Sequence, residues 1–429
     1  MTQPPPRGLG ARLKAATFSK LGPGLITGAA DDDPSGIATY SQAGAQFGHG
    51  LLWTMVLTFP LMVAIQMISA VIGRVTGQGL AHNMMRVMPH SLVWGLLALL
   101  FLANTINVGA DLAAMGAAAK LVTGWNQHGF TIAFALLSLG LQLFIPYRRY
   151  SRVLMALTFS LLAYVAILFL LPLDWADIGA GLIGWGVSLD EKAAVTIVAI
   201  FGTTISPYLF FWQSAQEVEE VDAHDDEKPL LDDPAEAPQA MDRIRTDTLA
   251  GMFASNTIAL AIMIATAATL HKAGITRIET AADAAQALRP IAGDYAFGLF
   301  ALGMIGTGLL AIPVLAGSAG YAISECMGWR KGLDNMPWKA RGFYGVIGAA
   351  VLLGLGMDYT GLDPIQALYW SAVLNGLVAV PIMAAMMVVA SRKTLLGEFC
   401  VSPLLKSMGW LSTAVMAAAA LAMLYVSLV

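Results

Sequence analysis

Gly22-Pro23-Gly24-Leu25-Ile26-Thr27-Gly28-Ala29-Ala30-Asp31-Asp32-Asp33-Pro34-Ser35-Gly36-Ile37 sets three consecutive carboxylates, a proline and a glycine inside an apolar run that extends from about residue 20 to 47. Pro34 removes a backbone donor, and its ring clashes with the preceding turn. Gly36 permits unusual dihedrals. A charge at the centre of a bilayer costs about 2.5–3.5 kcal/mol even on the lenient insertion scale. A span that tolerates this is expected to be unwound around a cavity or an ion site.

The surrounding chain makes the membrane reading necessary. Its 429 residues are 57% hydrophobic and only 12% charged, with a mean hydropathy of +0.68. Ordinary soluble domains are about 45–50% apolar and about 25% charged, so a typical soluble enzyme is excluded. A disordered or nucleic-acid-binding chain is excluded as well, because 24 Lys and Arg stand against 28 Asp and Glu. Cys326 and Cys400 lie far apart and form no CxxC, so neither a disulfide framework nor a thiolate metal site is indicated. What remains is an all-α polytopic membrane protein.

Apolar runs separated by polar turns predict eleven spans, at about 20–47, 50–73, 91–120, 129–147, 152–172, 192–216, 247–270, 295–324, 341–357, 365–390 and 408–428. Each is long enough to cross roughly 30 Å of hydrocarbon at about 1.5 Å per residue. The layout divides into an N-terminal segment 1–19, a first repeat 20–172, a second repeat 192–390 and a final span 408–428. With the N-terminus inside, 19 of the 24 basic residues fall in inside segments and five (Lys120, Lys192, Lys272, Arg277 and Arg289) outside. That split predicts a multi-pass protein of the cell membrane with a cytoplasmic N-terminus and an outside C-terminus. No signal peptide is expected, since the first apolar stretch runs straight into Asp31.

Glu217 to Glu236 holds ten acids, one base (Lys228), Pro229 and Pro234. It predicts a solvated, disordered cytoplasmic connector over 217–246. The rest of the chain carries 23 basic and 18 acidic residues, so the net charge of −4 is the property of this one segment.

The sixth span is interrupted like the first: Gly202-Thr203-Thr204-Ile205-Ser206-Pro207-Tyr208-Leu209. Ser206-Pro207 matches Asp33-Pro34 in place. Breaks at corresponding positions of two halves are the best sequence pointer to a transporter site of the inverted-repeat kind. Five plus five spans and one extra fit that scheme, although the halves share no clear identity. An anionic substrate would seek half-helix N-termini free of carboxylates. Here the break is loaded with carboxylates, so the expected substrate is a cation. Asp33, the hydroxyls of Ser206 and Thr203 and freed backbone carbonyls are hard oxygen donors, and no Cys, Met or His lies at either break. Such donors suit Mg²⁺, Ca²⁺ and Mn²⁺. The small Gly36 leaves room for the waters that Mg²⁺ retains.

At these residues the chain resembles the Nramp family of divalent-metal transporters. Gly22-Pro23-Gly24, Asp33-Pro34, Ala38-Thr39 and Gln42-Ala43-Gly44-Ala45-Gln46-Phe47-Gly48 match that family's first-helix signature. Asp111-Leu112-Ala113 resembles its third-helix motif, and Pro207 with Ser214 its sixth-helix motif. The family's metal-binding Asp falls on Asp33. Its Asn falls on Gly36, its thioether Met on Ser206, and its carbonyl ligand on Thr203. Its two sixth-helix His positions fall on Tyr208 and Gln213, and its acidic proton-pathway residue on Ala114.

That pattern is similar to the Nramp-related magnesium transporters. The resemblance implies a LeuT-like fold with a 5+5 inverted repeat, transport of Mg²⁺ and Mn²⁺ as largely hydrated ions, and no proton coupling. Asp33, Ser206, Thr203, Gly36 and Asp32 are the expected ion site. Asp31, Tyr208, Asn375 and Asp111 are further candidates to line it. Asn104 and Asn107 read as hydrogen bonds between helices. The expected partners are the divalent ion and the bilayer, with no cofactor and no obligate protein partner. The rivals are a proton-coupled Mn²⁺/Fe²⁺ transporter, which would want Met or His at the sixth-span break; an amino-acid transporter, disfavoured by the carboxylates; an ion channel; and an intramembrane aspartyl protease using Asp33 and Asp111, which lack the context of two carboxylates sharing one proton.

Overall fold

The computed structural model describes residues 23–184, 190–224 and 227–428. The segment 1–19, Gly22 and the acids Asp225 and Asp226 lie outside them. The helices that matter for the site are α1 (Pro23–Asp31), α2 (Pro34–Phe47), α3 (Trp53–Thr76), α4 (Leu80–Val87), α5 (His90–Thr123), α6 (Gln127–Phe144), α7 (Tyr147–Thr158), α8 (Leu162–Ile167), α9 (Trp175–Ile183), α10 (Glu191–Thr204), α11 (Pro207–Asp222), α12 (Ala237–Thr266), α13 (Ala296–Met327), α14 (Arg341–Gly356), α15 (Pro364–Ala390) and α16 (Pro403–Leu428). The described residues contain no strand.

Helix is found in the described part of each of the eleven expected spans. Nine described segments are individually long and apolar enough to cross a membrane. The nine include the sixth span, Glu191–Asp222, although it is broken before Pro207; the other two are interrupted as well. The first is split into α1 and α2, of 9 and 14 residues, or about 14 and 21 Å of helix at 1.5 Å per residue. The fifth is divided by a 3₁₀ turn over Phe159–Leu161.

Proline alone does not break these helices. Pro60, Pro313 and Pro381 sit inside the continuous helices α3, α13 and α15, and each follows an apolar residue: Phe59, Ile312 or Val380. The two breaks fall where proline follows a residue suited to an N-cap, at Asp33-Pro34 and Ser206-Pro207. There the capping residue is extended, and proline opens the next helix at a position that needs no N–H. The breaks are therefore written in dipeptides, and the flanking apolar runs keep both halves of each span in the bilayer.

The charged segment after the sixth span departs from the expected solvated connector. Helix α11 carries Glu217, Glu219, Glu220 and Asp222, and α12 already begins at Ala237, so the connector is shorter than 217–246. Glu217 is fully buried and accepts from Arg243 Nη2 at 2.5 Å. Glu219 accepts from the Tyr321 hydroxyl at 2.6 Å. Arg74, 2% exposed, donates to Glu227 at 2.7 Å and Glu236 at 2.8 Å, while the N–H groups of Leu230 and Leu231 donate to the carbonyls of Arg74 and Val75 at the end of α3. Glu217, Glu219, Glu227 and Glu236 are thus met by cations and donors distant in sequence.

Candidate functional site

Asp33 caps α2 and is 1% exposed. Its Oδ1 accepts from Gly36 N at 2.8 Å and from Ser35 Oγ at 2.7 Å. Its Oδ2 accepts from Asn107 Nδ2 at 2.9 Å. Asn107 is fully buried on α5. The same amide lies 3.4 Å from Asp111 Oδ2, and its Oδ1 accepts from Asn375 Nδ2 of α15 at 3.1 Å. Asn107 is thus the residue that joins Asp33, Asp111 and Asn375, rather than only a hydrogen bond between helices as expected. Its signal was present in the sequence: it precedes Asp111 by four, so both share one face of α5. Asn104 holds the expected role, donating to Leu315 O and Ser318 Oγ of α13.

The sixth-span break faces this cage. Thr203 Oγ1 lies 3.4 Å from Ser35 Oγ. A Cβ added at Gly36 would sit 3.2 Å from Thr203 Oγ1, 3.2 Å from Tyr40 Cε2 and 3.5 Å from Asp33 Oδ1. In this conformation the space beside Gly36 is closed by Thr203 and Tyr40, where a wide pocket was expected. Ser206 turns back onto its own chain, with Oγ 2.7 Å from Gly202 O and 2.8 Å from Thr203 O. Tyr208, fully buried, reaches from α11 to Ala30 O at the end of α1, at 3.4 Å.

Asp31 and Asp32 do not share Asp33's partners. Ser255 Oγ of α12 lies 2.7 Å from Asp31 Oδ2 and 3.0 Å from Asp32 Oδ1. Ser255 escaped the sequence reading; its trace there is a Ser-Asn pair in an otherwise apolar run. The break therefore carries two acidic groups, one held by α5 and one by α12. Among the described residues no three His, Cys, Asp or Glu side chains gather closely enough to hold a metal ion by themselves. A cation at Asp33 would be met by one carboxylate, hydroxyls, amides and water, a donor set for a hard, partly hydrated ion.

The two halves of the first span differ in their surroundings. A cavity of about 610 Å³ beside α2 is lined by Ala38, Gln42, Gln46, Lys192, Arg277 and Tyr369 among others. On the other side α1 is latched shut. Gly24 N donates to Asp247 Oδ2 at 2.8 Å, and Thr27 Oγ1 donates to Gln213 Oε1 at 2.5 Å. Gln213 in turn bonds the Glu217 that pairs with Arg243.

Residues 24–426 match the family described as natural resistance-associated macrophage protein-like, Nramp. The divalent metal cation transporter MntH of Yersinia pestis is 27% identical over 396 residues, covering 90% of each chain. That of Aeromonas hydrophila is 26% identical over 401 residues, covering 92% of each. Among solved structures, the Eremococcus coleocola manganese transporter superposes with a TM-score of 0.75 at 18% identity, over 98% of this chain and 88% of that one. Mhp1, a nucleobase-cation-symport-1 family transporter in a closed conformation, gives 0.56 at 14% identity, over 95% and 93%. These likenesses fix the fold as the LeuT-like broken-helix bundle.

Proposed function

The chain belongs to the Nramp family, and from that premise we propose that it is a membrane transporter that takes up divalent cations, chiefly Mg²⁺ and also Mn²⁺, as largely hydrated ions. It does so by alternating access and without proton coupling. The curated relatives named above are divalent metal cation transporters, which supports the general activity. The ion preference rests on one observation: the ligand positions beside Asp33 are filled by Gly36, Ser206 and Thr203, with no thioether, thiol or imidazole. Mg²⁺ dehydrates reluctantly and is usually bound by one or two carboxylates with retained waters. It reaches the cage from the cavity beside α2. Asp33 holds it, partly through water, with the Thr203 and Ser206 oxygens and the Asp32 backbone turning toward it as the half-helices rock. An inside-negative potential contributes about 2.3 kcal/mol per charge per 100 mV, so about 4.6 kcal/mol for a divalent ion. That drives uptake without protons. The protein sits in the cell membrane with its N-terminus in the cytoplasm.

One observation favours a second reading, proton-coupled Mn²⁺ or Fe²⁺ transport. Asp111 is fully buried, its Oδ1 lacks a hydrogen-bond partner, and Asn107 connects it to Asp33. The two readings separate in liposomes that carry a Mg²⁺ dye and a pH dye under an imposed inside-negative potential. Saturable Mg²⁺ uptake that needs Asp33 and leaves luminal pH unchanged supports the uncoupled transporter. Uptake of Mn²⁺ alone, with acidification, overturns it.

A further inference from the structure

The two acidic groups at the first break differ in how their charge is met. Around Asp33 the donors are plentiful: Ser35 and Gly36 on Oδ1 and Asn107 on Oδ2. Around Asp31 and Asp32 they are not. One hydroxyl, Ser255 Oγ, stands within hydrogen-bond distance of an oxygen of each carboxylate, and a hydroxyl has one proton to give. The other oxygen of Asp31 is buried with no partner at all. No Lys, Arg or His among the described residues forms an ion pair with either acid. Asp31 is 0% and Asp32 4% exposed. Two buried carboxylates with a single donor are strongly unfavourable as anions, so they hold protons until a cation joins them and displaces those protons.

The placement is built by packing. Helix α1 lies backbone to backbone on α12: a Cβ at Gly24 would stand 2.8 Å from Thr248 N, and one at Gly28 would overlap the backbone of Gly251. The next step along both helices sets Asp31 and Asp32 against Ser255. Asp31 also ends α1, where the helix dipole adds negative potential that attracts a cation.

We propose that Asp31, Asp32 and Ser255 form a second cation site on the α1 side of Asp33, and that the divalent ion passes to it when it leaves Asp33. This deepens the transport function proposed above and rests on it. The hydroxyl lone pairs of Ser255 and the carboxylate oxygens are hard donors, so the site takes the same class of ion. In the proposed orientation α1 is the cytoplasmic half of the span, so the site lies on the release side of Asp33.

The test counts bound Mn²⁺ on the purified full-length protein in detergent, using the electron paramagnetic resonance signal of free Mn²⁺ over a titration. The Asp33→Asn protein is expected to keep one Mn²⁺ per chain. Adding Asp31→Asn and Asp32→Asn to it abolishes that binding, while the Asp31→Asn, Asp32→Asn protein with Asp33 intact keeps one ion. Adding Ser255→Ala to the Asp33→Asn protein, a small change at a helical position that guards against misfolding, weakens the retained ion by about tenfold. Wild-type binding that disappears in Asp33→Asn alone overturns the second site and leaves the transport function standing. Retained binding in Asp33→Asn that ignores Asp31, Asp32 and Ser255 also overturns it. No Mn²⁺ binding to the wild type under any condition overturns the transport function itself.

Discussion

Replacing Gly36 by alanine tests whether the space beside Asp33 belongs to the ion's water. The added Cβ meets Thr203 Oγ1 and Tyr40 Cε2 at 3.2 Å each and Asp33 Oδ1 at 3.5 Å. The first two contacts are tight, so Thr203 and Tyr40 must move by a few tenths of an ångström; overpacking of that kind costs about 1–3 kcal/mol. Against it stands the gain of about 0.5–1 kcal/mol for alanine over glycine inside a helix. Folding stability therefore falls by at most about 2.5 kcal/mol, and the protein is expected to remain folded. Transport is affected more, and unequally. A methyl group occupies about the space of one water, whose share of liquid volume is about 30 Å³. Once Thr203 and Tyr40 move aside to admit an ion that crosses the cage largely hydrated, the methyl takes the place of one of its waters, and the ion must give up that water or be excluded. Mg²⁺ resists dehydration, so its transport through Gly36→Ala is expected to fall by about ten- to a hundredfold, or about 1.4–2.8 kcal/mol on the barrier. Mn²⁺, which gives up a water more readily than Mg²⁺, is expected to fall by less than about threefold on the same scale. The assay is initial uptake of each ion into liposomes, with melting temperature as the control on folding. Equal losses for both ions, or unchanged Mg²⁺ uptake, would refute the hydrated-ion argument.

Three other perturbations probe the remaining contacts. Asn107→Ala removes a hydrogen bond to the Asp33 carboxylate, worth about 1.5–3 kcal/mol, and leaves the Asn375 amide without its acceptor at about 1–3 kcal/mol; the detergent melting temperature should fall clearly further than for Asn104→Ala, and equal falls would deny Asn107 its place in the cage. Gly28→Ala drives a methyl into the Gly251 backbone, so α1 must lift from α12. A cysteine placed at Thr27, buried in this structure, is then expected to react with a membrane-impermeant maleimide only when Gly28→Ala is present. Reaction in both proteins, or in neither, counts against the packing described. Arg74→Ala strands Glu227 and Glu236, each about one-third exposed, so the loss is local. Limited proteolysis within 223–236 should speed up at least about fivefold, the equivalent of roughly 1 kcal/mol of local opening, and an unchanged cleavage rate would show that Arg74 does not hold the segment.

The fold was legible in the sequence because its determinants are local. Eleven apolar runs, and the dipeptides Asp33-Pro34 and Ser206-Pro207, specify spans and breaks through solvation and backbone chemistry that each residue carries with it. The site was legible only in its anchor. Asp33 is found at the break as expected, but its partner Asn107 lies 74 residues away, and no local pattern says that α5 will present that amide to α2. Ser206 illustrates the reverse. Serine near a helix end often bonds its own preceding carbonyls, and its hydroxyl does so at Gly202 and Thr203, a local preference that the search for ion ligands passed over. The acids after Glu217 read as solvated because their charge was counted without Arg74, Arg243 and Tyr321, which approach from other helices.

The polar bonds around the break assign its two halves to different supports. Helix α2 is bonded to α5 through Asn107 and to α10 through Thr203 and Thr204, the latter 3.1 Å from the Tyr40 hydroxyl. Its Gln42 clasps the loop at Thr276 and Ile278. Helix α1 is bonded instead to α11 through Gln213 and to α12 through Asp247 and Ser255. Helix α12 backs both halves, so the extended pair Asp32-Asp33 is the place where one set of bonds gives way to the other. A cation bound at Asp33 draws on the α2 set alone, whereas a cation taken by Asp31, Asp32 and the lone pairs of Ser255 replaces the hydrogen bonds from Ser255 through which those carboxylates hold α1 to α12. Under the proposed function, movement of the ion across the break therefore loosens the latch on the side toward which the ion is released. A substrate whose charge is completed only by the acids at the hinge has differential affinity for the latched and unlatched states, which is the condition for a ligand to shift a conformational equilibrium.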